Sequence, residues 1–186
     1  MIDATQRKLR EAQFFHNLLD QESRRPNRTD EAFRFYLSAF ISAARSISWV
    51  LKKEETEKYL AWNPQWEAQL NPEERKLLKL TNKLRVDEVH RSGASTIVEW
   101  EEIAIGEFMG AEFDHAGYQY GMRSSASPGT LGFPAPPKAK RAAYYLQDDQ
   151  TKTKVTVKCE EYLAYLKKMV EAFLAAHPEP TDERDG

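Results

Sequence analysis

A single cysteine, Cys159, in a chain of 186 residues excludes an intrachain disulfide and leaves no thiolate set for a zinc site. Charge of one sign is also lacking. The formal net charge is -2, so no global basic excess draws the chain to nucleic acid, and any such contact has to come from a local patch. Long apolar runs are missing too. The N-terminal "MIDATQRKLREAQ" is charged, with neither the apolar segment of a signal peptide nor a membrane span, and a cytoplasmic protein with no membrane contact is expected. Neither a phosphate-binding glycine loop nor a serine-nucleophile signature occurs, so no cofactor is expected. With 41% hydrophobic and 30% charged residues, what remains is an ordinary globular composition, long enough to bury one core.

Glycine is unevenly spread, and that divides the chain. Seven of the eight glycines lie between Gly93 and Gly132. Before them the apolar spacing is helical. Leu9, Ala12, His16 and Leu19 mark a first helix from about Ala4 to Asp20. Asn27 or Thr29 can cap a second, from about Asp30 to Lys53, in which Phe33, Leu37, Phe40, Ala44, Ile47 and Leu51 step by threes and fours. Tyr36, Ile41 and Val50 widen that stripe, which makes this the central helix. Ser38, Ser42 and Ser46 lie four apart on another face, where small side chains would let a neighbouring helix come close.

The segment "EETEKYLAWNPQWEAQLNPEERKLLKL" holds a short helix, a proline break and a longer helix. Trp62 and Trp66 flank Pro64 and read as packing anchors. "NPEE" reads as a helix start, with Asn71 as cap and Pro72 in the first turn, and the helix should reach His90 before Gly93 ends it. Leu77, Leu80 and Leu84 form its core stripe, with Arg75, Lys76, Lys79 and Lys83 grouped opposite. Val86 and Val89 lie off the stripe and point to a second buried contact, with the insert or a partner subunit.

Residues 93–158 read as a β-rich insert. "TIVEWEEIAIG" fits a strand or a helix, and "SSASPGTLGFPAPPKAK" is loop chemistry. "AAYYLQDDQTKTKVTVK" reads as a hairpin pairing Tyr144–Gln147 with Thr153–Lys158, Val155 and Val157 sharing a face. From Cys159 a last helix carries Tyr162, Leu163, Leu166, Met169, Val170 and Phe173 on one side, and residues 179–186 form a polar, disordered tail. The fold class is therefore mainly α: an up-and-down helical bundle, residues 1–178, whose β-hairpin-containing insert precedes the closing helix.

Arg85, four residues and then His90, at the end of a late helix before a break in the fold, resembles the motif of the HEPN superfamily. Its members are helical bundles, often dimers, and often metal-independent ribonucleases or non-catalytic relatives. The resemblance covers about residues 1–92 and 159–177. It implies a homodimer and RNA binding or endoribonuclease activity in a defence or toxin-related setting such as a toxin–antitoxin pair. Arg85 and His90 would be catalytic, Lys79, Lys83 and Arg91 would hold RNA phosphates, and no metal would be used. Imidazole titrates near neutrality and suits a general base, and the guanidinium fork suits phosphate oxygens. On a straight helix the two positions are about 140° apart, so they meet only if the helix unwinds near Gly93 or two copies face each other. Val86 stands where active members commonly carry Asn, a departure that favours the alternative, a non-catalytic module binding a protein or ligand through its insert. Arg10 and His16 repeat the motif with a gap of five. Glu112, Asp114 and His115 are weak metal-ligand candidates, Glu101 and Glu102 are adjacent acids with no visible partner, and Cys159 at a helix start has the position for a lowered pKa.

Overall fold

A computed structural model describes residues 2–25, 30–90, 96–104, 138–148 and 151–178. In chain order these form α1 (Asp3–Arg24), α2 (Asp30–Glu54), α3 (Thr56–Gln69), α4 (Pro72–His90), β1 (Ile97–Ala104), β2 (Lys138–Asp148), β3 (Thr151–Lys154) and α5 (Val155–Ala176). The described residues are mainly α: five helices, with a three-stranded antiparallel sheet inserted before the last. None of these helices is long and apolar enough to cross a membrane. The expected caps Asn27 and Thr29, the ligand candidates Glu112, Asp114 and His115, and residues 179–186 lie outside the described residues.

The stripe of α2 is the core's axis, as its spacing requires. Phe33, Leu37, Phe40, Ala44, Ile47 and Leu51 are all buried, and one cluster joins Phe40 to Leu84 of α4 and Leu166 of α5. Helices α1 and α2 are fastened end to end. The Glu54 carboxylate accepts hydrogen bonds from the amides of Ala4 (2.7 Å) and Thr5 (2.9 Å) and from the Thr5 hydroxyl (2.6 Å). It thus caps the free N–H groups of α1 from another helix.

Helix α3 runs through Pro64 without the expected break. The proline removes one N–H, and the carbonyl it would have served belongs to the solvent-exposed Leu60. Aromatic packing holds both halves of the helix. Trp62 stacks on Trp66 at 5.4 Å and meets Phe173 edge-on at 5.3 Å, while Trp66 Nε1 donates to the Tyr165 hydroxyl at 3.2 Å. Helix α4 opens with a reciprocal cap: Asn71 Oδ1 accepts from the Glu74 amide (2.8 Å), and Glu74 Oε2 accepts from the Asn71 amide (3.0 Å). Arg75 reaches back to the last carbonyls of α3, those of Leu70 (3.0 Å), Glu67 (3.1 Å) and Ala68 (3.3 Å). Its guanidinium is an α3 cap and is spent on that role.

"TIVEWEEIA" resolves as a strand, paired with β2 in the register Ile97↔Tyr145 to Ala104↔Lys138. The hairpin of β2 and β3 pairs Tyr145↔Lys154 through Asp148↔Thr151. It is shorter than expected. The strand stops at Lys154, the insert closes there rather than at 158, and Val155–Lys158 are the first turn of α5. Val155 is fully buried and Val157 is 41% exposed, so the two do not share a face. Val155, Cys159, Tyr162, Leu163 and Leu166 continue one helical stripe, and its burial outweighs the β preference of the branched residues. Ala142, Tyr144 and Leu146 turn the sheet's inner face to the bundle.

Candidate functional site

Serine hydroxyls and two guanidiniums line a groove of about 460 Å³ between α2 and the end of α4. Helix α2 contributes Ser38, Ile41, Ser42, Arg45, Ser46 and Trp49, and α4 contributes Arg85. The serines that the sequence suggested would seat a neighbouring helix border an open groove in the single copy. Ser46 donates its hydroxyl to the Ser42 carbonyl at 2.8 Å. Arg85 comes close enough to Arg45 to act on its charge. Partial burial first, and then the charge of Arg85, lower the pKa of Arg45, while the buried Tyr162 phenol acts in the opposite sense. Neither arginine makes an ion pair among the described residues. Two like charges in one groove without a carboxylate between them are a ready seat for an anion with several oxygens.

Arg85 is therefore brought to a partner, and the partner is one the sequence reading missed. The available signal was Arg45 itself, a cation in the middle of the central apolar helix, flanked by Ser42 and Ser46. The other expected residues fall elsewhere. Lys79 and Lys83 are exposed on α4 and do not line this groove. Helix α4 stays helical through His90. Arg85 and His90 are thus about 140° apart around one axis and about 7.5 Å apart along it, which leaves the two-copy route as the way for the pair to meet. The side chain of His90, and Arg91 as a whole, lie outside the described residues. In the second motif match, His16 packs its ring against Phe40, with centroids 5.8 Å apart, and belongs to the bundle interior.

Two other sequence candidates find structural roles. Glu101 has three partners on the outer face of the sheet: Arg141 (2.7 Å), the Tyr145 hydroxyl (2.9 Å) and Lys154 (2.9 Å). Beside it Glu99 pairs with Lys152, whose ammonium sits over the Tyr145 ring. Hydrogen bonds from Arg141 and then Lys154 hold the Glu101 carboxyl down to about 2. This is a cross-strand ionic lattice, legible only once the register puts Glu101 opposite Arg141. Cys159 lies one turn inside α5, and complete burial pushes its thiol pKa up, the reverse of an activated nucleophile.

A larger cavity of about 560 Å³ lies between α4 and α5, floored by Leu77, Leu80, Ala164 and Tyr165. Four of its rim charges are paired, Lys168 with Glu74 at 2.6 Å and Lys158 with Glu161 at 2.7 Å, unlike the two guanidiniums of the α2–α4 groove. Comparison with protein families, characterised proteins and solved structures returns no match for this chain.

Proposed function

We propose that the chain binds RNA along the groove between α2 and α4 and cleaves it without a metal, as the HEPN-like motif implies. What carries this reading is the pairing of Arg85 with Arg45, two adjacent guanidiniums with no carboxylate partner among the described residues. The two forks hold the oxygens of one phosphate or of two successive ones. RNA supplies its own nucleophile. His90 takes the proton of a 2′-hydroxyl, the oxygen attacks the neighbouring phosphorus, and the 5′ oxygen leaves with a proton from solvent. Arg85 offsets the charge gathering on the phosphate. Lys79, Lys83 and Arg91 hold more distant phosphates. The setting is cytoplasmic and the working form a homodimer, since positions 85 and 90 lie about 140° apart on one helix and two copies offer the way to bring them together.

A cleavage assay on structured and unstructured RNA in EDTA tests this. The expected result is cutting that leaves a cyclic phosphate, abolished by His90→Ala while much of the binding remains, and reduced together with binding by Arg85→Ala. A general base of this kind contributes about a hundred- to ten-thousand-fold to rate. The second reading, a non-catalytic interaction module, is favoured by Val86, which is 50% exposed beside Arg85 where a polar residue would serve catalysis better. Salt-sensitive binding without cutting supports a binding-only site. Neither binding nor cutting excludes RNA and leaves the module.

A further inference from the structure

We propose that α2 is a self-recognition surface, on which the same helix of a second copy lies antiparallel with its centre at Ser42. The proposal does not depend on the RNA reading. Its starting point is two large aromatic side chains left in solvent on one helix: Phe35 is 63% exposed and Trp49 is 62% exposed. At 100° per residue, Glu31, Phe35, Ser38, Ser42, Ser46, Trp49 and Lys53 fall within a band of about 80° on α2. All seven are exposed or half-buried, so the band faces out of the bundle.

The order of chemistry along that band commits it to one occupant. Glu31 and Lys53 stand eleven residues to either side of Ser42, Phe35 and Trp49 seven, and Ser38 and Ser46 four. A two-fold axis through Ser42 therefore sets Glu31 against the partner's Lys53, Phe35 against the partner's Trp49, and Ser38 against the partner's Ser46. Each pairing occurs twice, as an isologous contact requires. Opposite charges meet at both ends, and no like charges of the band oppose each other. Lys53 already leans over Trp49, its ammonium 5.4 Å from the ring centroid, so the partner's Glu31 would meet a cation supported on an aromatic face. The seven-residue step from Phe35 to Ser42 to Trp49 suits the shallow crossing of an antiparallel helix pair. Serines at the centre let the axes approach to about 8 Å.

The same geometry bears on the groove. Arg45 lies three residues from the axis, about 4.5 Å of helix rise, on the side of the band that turns toward Arg85 and α4. Two copies bring two Arg45 side chains within a turn of the same axis and make each groove a cleft walled by the partner. Val86, next to Arg85, extends the exposed surface from α4.

The test uses the full chain by sedimentation velocity at low salt, with far-UV circular dichroism to check folding. The wild type is expected to be a dimer at tens of micromolar. Glu31→Lys and Lys53→Glu should each weaken it by about three- to tenfold, since exposed ion pairs are individually modest. The double swap should restore most of the loss, because both symmetric pairs re-form with reversed sign. Ser42→Cys should close a covalent dimer on mild oxidation, visible on a denaturing gel, whereas the buried Cys159 of the wild type gives none. A monomeric wild type overturns the proposal. So does a double swap no tighter than the single variants, or a folded Ser42→Cys chain that does not cross-link. None of these outcomes depends on whether RNA is bound or cut.

Discussion

The ring of Tyr144 on β2 lies flat on that of Phe33 on α2, their centroids 3.7 Å apart and their planes within 7°. One stacked pair thereby ties the inserted sheet to the central helix. Both rings are buried, and Ala142 and Leu146 close the same layer to either side of Tyr144. Removing the ring leaves a cavity at the junction. Tyr144→Ala should destabilise the protein by about 3 kcal/mol, read as a lower urea midpoint. A change under about 0.5 kcal/mol would mean that the sheet is not packed on the bundle as described.

Acid should loosen the fold through two carboxylates. Glu101 is held down to about 2 by Arg141 and Lys154. Burial pushes Glu54 up, yet the bonds from Thr5 and the amides of Ala4 and Thr5 outweigh that and leave it below its ordinary value. A folded-state pKa below the unfolded one gives stability that is complete above the unfolded value and is lost as pH falls through the folded one. Thermal midpoints should therefore hold from pH 7 to about 5 and fall from there toward pH 2. Glu101→Gln should lower the midpoint at pH 6 and flatten the acid slope. An unchanged slope would contradict the ionic lattice.

The reciprocal cap of α4 predicts a local cost. Asn71→Ala should destabilise by about 1 kcal/mol, because the Glu74 amide loses its acceptor. Arg75→Ala should add to it by removing the guanidinium that donates to the Glu67, Ala68 and Leu70 carbonyls. Denaturant melts of the two single variants and the double variant check this, and neutrality in both singles would contradict the described junction of α3 and α4.

Val86→Glu should weaken association without unfolding the chain. Val86 is half-exposed in one copy, so a carboxylate there is harmless until a partner covers it, when desolvation becomes costly. Sedimentation and a thermal melt separate the two effects. A lower melting point with unchanged association would show that Val86 serves the single copy.

Helical periodicity alone made the bundle legible, because Phe33 to Leu51 and Tyr162 to Phe173 have no other way to be buried. Asn71 and Pro72 fixed the start of α4 through cap chemistry that is local in sequence. What stayed hidden depended on distant contacts. Val155 reads as strand by propensity, and only the stripe it completes with Cys159 and Tyr162 makes it helix. Pro64 reads as a break until Trp62, Trp66 and Phe173 are seen to brace it. Glu101 has no partner within its own segment, since Arg141 comes from forty residues away. Arg85 was visible through its spacing to His90, but Arg45 was not, because helix α2 passes Arg85 only in the folded chain.

The most direct measurement is the salt dependence of RNA binding by the wild type and by the Arg45→Ala/Arg85→Ala double variant, followed by fluorescence anisotropy on a labelled single strand. Each lost phosphate contact should reduce the slope of log affinity against log salt by about 0.7. Binding in the α2–α4 groove predicts a salt-sensitive wild type and a double variant with weaker affinity and a slope shallower by roughly 1.4. Equal affinity and equal slope in the two proteins, or no binding by the wild type at low salt, would contradict it.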